Sequence, residues 1–143
     1  MAEVEALVGQ ALPDVEVVVE PAAVAAYLAA VGDGNPAYAP AAGAAAIAPP
    51  TFAAVYALAP PGRPASGWGI APQRLVHGEQ SFEWTRPVRV GERLTTSTRV
   101  ADVYSKRSLR FMVVEATSRD EAGETVCISR ATILVLPDPE AEA

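Results

Sequence analysis

The chain has 143 residues, half of them hydrophobic, with a formal net charge of −6 and a single cysteine, Cys127. That length suits one domain with a real core. The acidic balance, with Lys106 as the only lysine, argues against a nucleic-acid or anionic-membrane partner. One cysteine excludes an internal disulfide and fits a reducing cytoplasm.

No apolar run is long enough to span a bilayer, and Glu3 and Glu5 near the start do not suit a targeting peptide. A cytoplasmic location is the expectation. Residues 14–20 form a Val-rich run that predicts an edge strand. Pro21 suits a first helical turn, and Val24, Tyr27, Leu28 and Val31 recur at helical spacing. A helix is therefore predicted over 21–31, ended by Gly32. Residues 32–36 form a turn cluster, and the Ala-rich stretch 39–48 predicts a short helix before Pro49 and Pro50 interrupt the chain. Residues 51–58 are apolar apart from the Thr51 and Tyr56 hydroxyls, and a helix apolar all round is buried. Pro60 and Pro61 close it, and 62–72 reads as a loop or flap.

The second half reads as antiparallel strands. Residues 79–86 alternate, with Phe82 and Trp84 on one face, and 87–92 form a bend. Strands follow at 93–104, 109–119 and 125–136, joined by turns at 105–108 and 120–124, with Gly123 where positive φ is needed. Strand, helix, buried helix and meander together predict an α+β fold, one sheet wrapped around one buried helix. The expected organisation is a single domain over 1–137 with a frayed acidic tail over 138–143.

The string Gly32-Asp33-Gly34-Asn35-Pro36-Ala37-Tyr38 holds a carboxylate on a tight turn just past a helix. Asx side chains bond back to nearby amides, and proline fixes φ. Asp33 then either serves turn amides alone or positions a water and removes a proton. His77, the only histidine, is either a polar strand-start residue or a group that contacts substrate. Lys106, Arg107 and Arg110 around one hairpin read first as a solvated turn, and otherwise as a contact for the phosphates of a carrier. One His and one Cys far apart give no metal-ligand spacing, and no Gly-rich nucleotide loop occurs. Neither a metal nor a cofactor is expected.

The same string resembles the signature of MaoC-like (R)-specific enoyl hydratases at Gly32, Asp33, Asn35 and Pro36, and departs at Tyr38, where the family's catalytic histidine stands. The resemblance implies that Asp and His together hold the water that adds to, or leaves from, carbon 3 of an acyl thioester. A phenol titrates near about 10 and cannot share a proton at neutral pH as imidazole does. A second string, Ile47-Ala48-Pro49-Pro50-Thr51-Phe52, opens the apolar helix where the hydratases use a backbone amide to polarise the thioester carbonyl. Prolines have no amide hydrogen, so the donor is shifted toward Thr51 and Phe52 or missing.

A third string, His77-Gly78-Glu79-Gln80 through Arg86-Pro87 and Gly91-Glu92, is similar to the N-terminal MaoC-like, or fatty-acid-synthase-1-like, dehydratase subgroup that includes HadA-type subunits. That subgroup commonly carries Tyr at the position of Tyr38 and Ala-Pro-Pro-Thr-Phe at 48–52. The resemblance implies a hot dog fold and edge-to-edge dimers of domains. It implies a subunit of a (3R)-hydroxyacyl-thioester dehydratase acting on acyl-CoA or acyl-ACP, with a MaoC-like partner supplying the full Asp-His pair. Asp33, Tyr38 and His77 are the catalytic candidates, and Asn35, Pro50, Thr51 and Phe52 the substrate-binding ones. A self-sufficient homodimeric hydratase and a non-catalytic acyl-thioester binder remain open alternatives, with a thioesterase behind them.

Overall fold

The computed structural model of the chain describes residues 2–39, 46–58 and 68–138. Five antiparallel strands form one sheet: β1 (Ala11–Val18), β2 (Leu75–Trp84), β3 (Arg93–Lys106), β4 (Leu109–Arg119) and β5 (Thr125–Val135). Their spatial order is β1-β3-β4-β5-β2, so β1 and β2 are the two edges. Two α-helices, α1 (Ala2–Glu5) and α2 (Pro21–Val31), precede the meander. This is the α+β architecture expected of a hot dog fold, a sheet curled around a short central helical segment.

Local chemistry sets most of these boundaries. α2 begins at Pro21 and ends on Gly32, whose φ of 71° is the left-handed value that caps a helix with little steric cost in glycine. In β4, Met112, Val114, Ala116 and Ser118 are buried and alternate with half-exposed residues, as one face of a sheet against a core requires. The β3–β4 hairpin closes over Arg107 and Ser108 at φ 51° and 66°, the pair of left-handed positions that a two-residue primed turn demands.

Several elements depart from the sequence expectation. β1 starts at Ala11 rather than 14 and tolerates Pro13 because a bulge falls between Leu12 and Val15 on this edge strand. β2 starts at Leu75 rather than 79, its early alternation broken by a bulge between His77 and Glu79. Gly78 sits in that bulge, where an added Cβ would lie 3.2 Å from the Thr132 carbonyl oxygen. α1 was not expected, since four residues are too few to show periodicity; just beyond its start, Val4 and Leu7 pack with Ile70, Val100 and Met112. The helix expected over 39–48 is not found at its end, because Ile47 bridges Arg89 and the Ala48 amide donates to the Val88 carbonyl at 2.8 Å. Residues 40–45, the stop at 60–61, most of the 62–72 loop and the tail from 139 lie outside the described residues. Asp138, the first tail residue, is ion-paired with Arg74 at 3.1 Å.

The predicted buried helix over 51–58 is present as two tight pieces, a 3-10 turn (Pro50–Phe52) and a π turn (Ala54–Leu58). Phe52 and Tyr56 are both 1% exposed, and β3, β4 and β5 all touch the π turn. Burying one such aromatic side chain contributes about 2–3 kcal/mol. Tyr27 of α2 stacks edge-on against Phe52 at 5.5 Å between centroids, which ties α2 to the central segment. The sheet beneath is lined by the small hydroxyl residues Thr96, Ser118 and Ser129, all buried. Thr96 Oγ1 donates to the Tyr56 carbonyl at 3.0 Å and lies 2.7 Å from Ser118 Oγ. A buried carbonyl without a partner is costly, and these hydroxyls supply one to the irregular turn. No helix among the described residues is long and apolar enough to cross a membrane.

Candidate functional site

A cavity of about 280 Å³ opens where β2 leaves the sheet, walled by Tyr38, Pro49, Pro50, Tyr56, Trp84 and Arg86 among others. A larger one, about 620 Å³, lies at the opposite end of β2 and β5, against Val4, Leu7, Trp68, Arg110 and Val135. None of the catalytic or substrate-binding candidates lines the larger cavity, although Arg110 of the basic hairpin does, whereas Tyr38 and Pro50 line the smaller one.

The turn that carries Asp33 is held by its own side chains. Asp33 Oδ1 accepts from the Asn35 amide at 2.9 Å, and Asn35 Oδ1 accepts from the Ala37 amide at 3.0 Å. Asn35 thereby caps a 3-10 turn (Pro36–Tyr38) that swings Tyr38 into the cavity wall. The Ile47 amide donates to the Ala37 carbonyl at 3.2 Å and fixes this turn to the strand-like stretch before Pro49. Asp33 and Asn35 are exposed in the single chain, on the turn leading to the cavity, while Tyr38 is half-buried.

At the central segment, the Phe52 amide is committed to the Pro49 carbonyl at 2.9 Å. Of the two amides considered as carbonyl donors, Thr51's has no acceptor among the described residues. Thr51 Oγ1 accepts from the Tyr27 hydroxyl at 2.8 Å, and Thr51 itself is exposed. Phe52 is core, behind the cavity rather than on its surface. His77 stands apart. It is exposed, pairs with Ile133, and lies seven residues along β2 from Trp84, roughly 23 Å at strand rise. Within one chain the structure brings Tyr38 and Pro50 together and leaves His77 at the far end.

Three cavity residues were named in the sequence only for their place in an element or motif and not as site candidates: Tyr56, Trp84 and Arg86. The Tyr56 hydroxyl lies within electrostatic reach of the Trp84 indole and of Cys127. Burial, followed by the nearby Cys127, pushes the Tyr56 phenol well above its usual range, and burial also raises the Cys127 thiol. Both are neutral hydrogen-bonding groups. Arg86 Nη1 donates to Glu92 Oε2 at 3.1 Å, Nη2 pairs with Glu92 Oε1, and Nη2 also meets Asp120 Oδ2 at 2.9 Å. Burial raises the Glu92 carboxyl, but the Arg86 guanidinium and the Arg89 amide outweigh it and hold Glu92 below the ordinary range. Arg86 and the Glu124 amide hold Asp120 low as well. Both carboxylates are therefore ionised at neutral pH and clamp the cavity rim. The signal for Arg86 was in the sequence, in the Arg86-Pro87 to Gly91-Glu92 spacing, but Asp120 reaches it only through the fold.

A protein-family model described as the FAS1-like dehydratase domain region matches residues 6–129. A UPF0336 protein of Streptomyces coelicolor is 37% identical over 108 residues, covering 70% of this chain and 72% of that protein. A solved MaoC-like dehydratase superposes with a TM-score of 0.82 at 26% identity, over 96% of this chain but only 44% of the other. The HadBC (3R-hydroxyacyl-ACP dehydratase) complex of Mycobacterium tuberculosis gives a TM-score of 0.72 at 21% identity, over 90% of this chain and 96% of that one. At that identity the last likeness speaks for the fold alone.

Proposed function

This chain belongs to the FAS1-like dehydratase domain family, and on that premise we propose that it is one subunit of a (3R)-hydroxyacyl-thioester dehydratase of the HadA type. Its substrate is an acyl-CoA or acyl-ACP, and a MaoC-like partner brings the complete Asp-His pair. The observation that carries this reading is the Asp33 turn: it keeps the carboxylate and the Asn-Pro geometry while placing Tyr38, not histidine, on the cavity wall. In the hydration direction, water oxygen bonds to carbon 3, the carbon–carbon double bond opens, and a proton is delivered to carbon 2. One group must take a proton from water and return one to carbon, a task suited to imidazole and not to a phenol. This chain then supplies a wall for the acyl group, through Pro50, Tyr56 and Trp84, and the partner supplies the chemistry. A solved neighbour of the same fold is named as a HadBC dehydratase complex, which fits a reading with more than one chain.

The test is turnover of crotonyl and longer enoyl thioesters by the purified chain, alone and mixed with a MaoC-like partner. The expected result is negligible hydration by the chain alone and at least a hundredfold gain in the mixture. In that mixture Asp33→Asn in this chain lowers the rate less than tenfold. Full activity of the isolated chain, abolished by Asp33→Asn, overturns the reading in favour of a self-sufficient homodimer.

A further inference from the structure

β2 is an edge strand whose run Glu79–Trp84 is free of bulges. The side chains of Glu79, Ser81 and Glu83 are all exposed on one face of the sheet. The Thr85 amide donates to the Val126 carbonyl of β5 at 3.2 Å, so strand alternation commits the backbone groups of Glu83, Ser81 and Glu79 to β5 and leaves those of Gln80, Phe82 and Trp84 as the outward row. An open row of this kind pairs readily with another strand.

The charges on that face decide which strand. Suppose a second copy of this chain paired antiparallel across the run about a two-fold axis at Ser81. Glu79 would face Glu83 of the other copy, and the reverse, with Cβ atoms about 5 Å apart. Sliding the register by two residues only moves these carboxylates to diagonal neighbours. Neither Glu79 nor Glu83 has an ion pair among the described residues. Arg130, opposite Ser81, is engaged with Glu115 at 3.1 Å through Nε, and Glu115 also pairs with Arg99 at 2.7 Å. Four carboxylates thus meet on one face, with one Arg130 per copy beside them and that arginine already paired with Glu115.

We infer that the β2 edge selects against a second copy of this chain and for a different chain whose edge strand presents Lys or Arg opposite Glu79 and Glu83. This rests on the two-component reading above and gives the partner's edge a chemistry. It is tested by assembly rather than turnover.

Sedimentation at low salt is expected to show the native chain as a monomer at micromolar concentration. In Glu79→Lys each new ammonium faces Glu83 of the other copy twice per two-fold pair. That variant is expected to self-associate at least tenfold more tightly, and to lose the gain in high salt. With a MaoC-like partner, Glu79→Lys/Glu83→Lys is expected to weaken association at least tenfold while circular dichroism is unchanged. A native chain that forms a tight dimer, a Glu79→Lys variant that stays monomeric, or partner affinity indifferent to the double substitution overturns the inference. Each of these can occur with the mixed enzyme fully active, so the dehydratase reading stands or falls separately.

Discussion

The two walls of the smaller cavity are held by opposite chemistry. The inner wall, at Tyr56, rests on neutral hydroxyls: Thr96 and Ser118 are both fully buried, and Thr96 bonds the turn's own carbonyl. The rim, at Arg86, rests on charges that still touch water, with the Arg86 side chain 37% exposed between Glu92 and Asp120. A neutral bond inside a low-dielectric core keeps its strength at any pH, but leaving it unmade is costly. An ion cluster at a wet rim is weaker, is screened by salt, and fails when its carboxylates are protonated.

The sharpest way to break this contrast is Thr96→Val, which keeps the shape and orphans the Tyr56 carbonyl. It is expected to cost about 2 kcal/mol by urea denaturation, with the same loss at pH 7 and pH 4. Arg86→Met comes next, expected to lower Tm at neutral pH by on the order of 3 °C, less in high salt. Its pH dependence sharpens the contrast. Glu92 and Asp120 both sit low in the folded state, so their stabilisation is fully present above the ordinary carboxylate range. It is lost as pH falls through their depressed folded values, because the unfolded chain takes up protons first. Calorimetry against pH is therefore expected to show the native and Arg86→Met curves separated at neutrality and converging as pH falls below the ordinary carboxylate range. A separation that stayed constant would contradict the charged-rim account. Smallest is Ser118→Ala, expected to cost about 1 kcal/mol or less, since Thr96 still bonds the Tyr56 carbonyl.

The legible parts of this chain are those governed by neighbours in sequence. Pro21 and Gly32 bound α2 where expected, and β4 runs from Leu109 to Arg119 as its alternation required. The Asp33 turn was legible for the same reason, since its bonds span two residues. Phe82 and Trp84 fall on one face as expected, with rings 5.6 Å apart. The illegible parts depend on distant partners. The Ile47–Arg89 bridge replaces the end of an expected helix because strand-like stretches far apart in sequence find each other. The π turn over Ala54–Leu58 exists because Thr96 and the surrounding strands accept it. Phe52, a substrate candidate by position, is core because α2 covers it through Tyr27.

Composition and short-range pattern alone determined that this is an α+β chain with a carboxylate fixed on a proline-braced turn, because helix caps, turns and alternation are written within a few residues of where they act. Only the tertiary structure decided which residues share a cavity with Tyr38 and which edge of the sheet stays open. Those outcomes are set by strand register and packing between segments tens of residues apart, where no local spacing records the meeting.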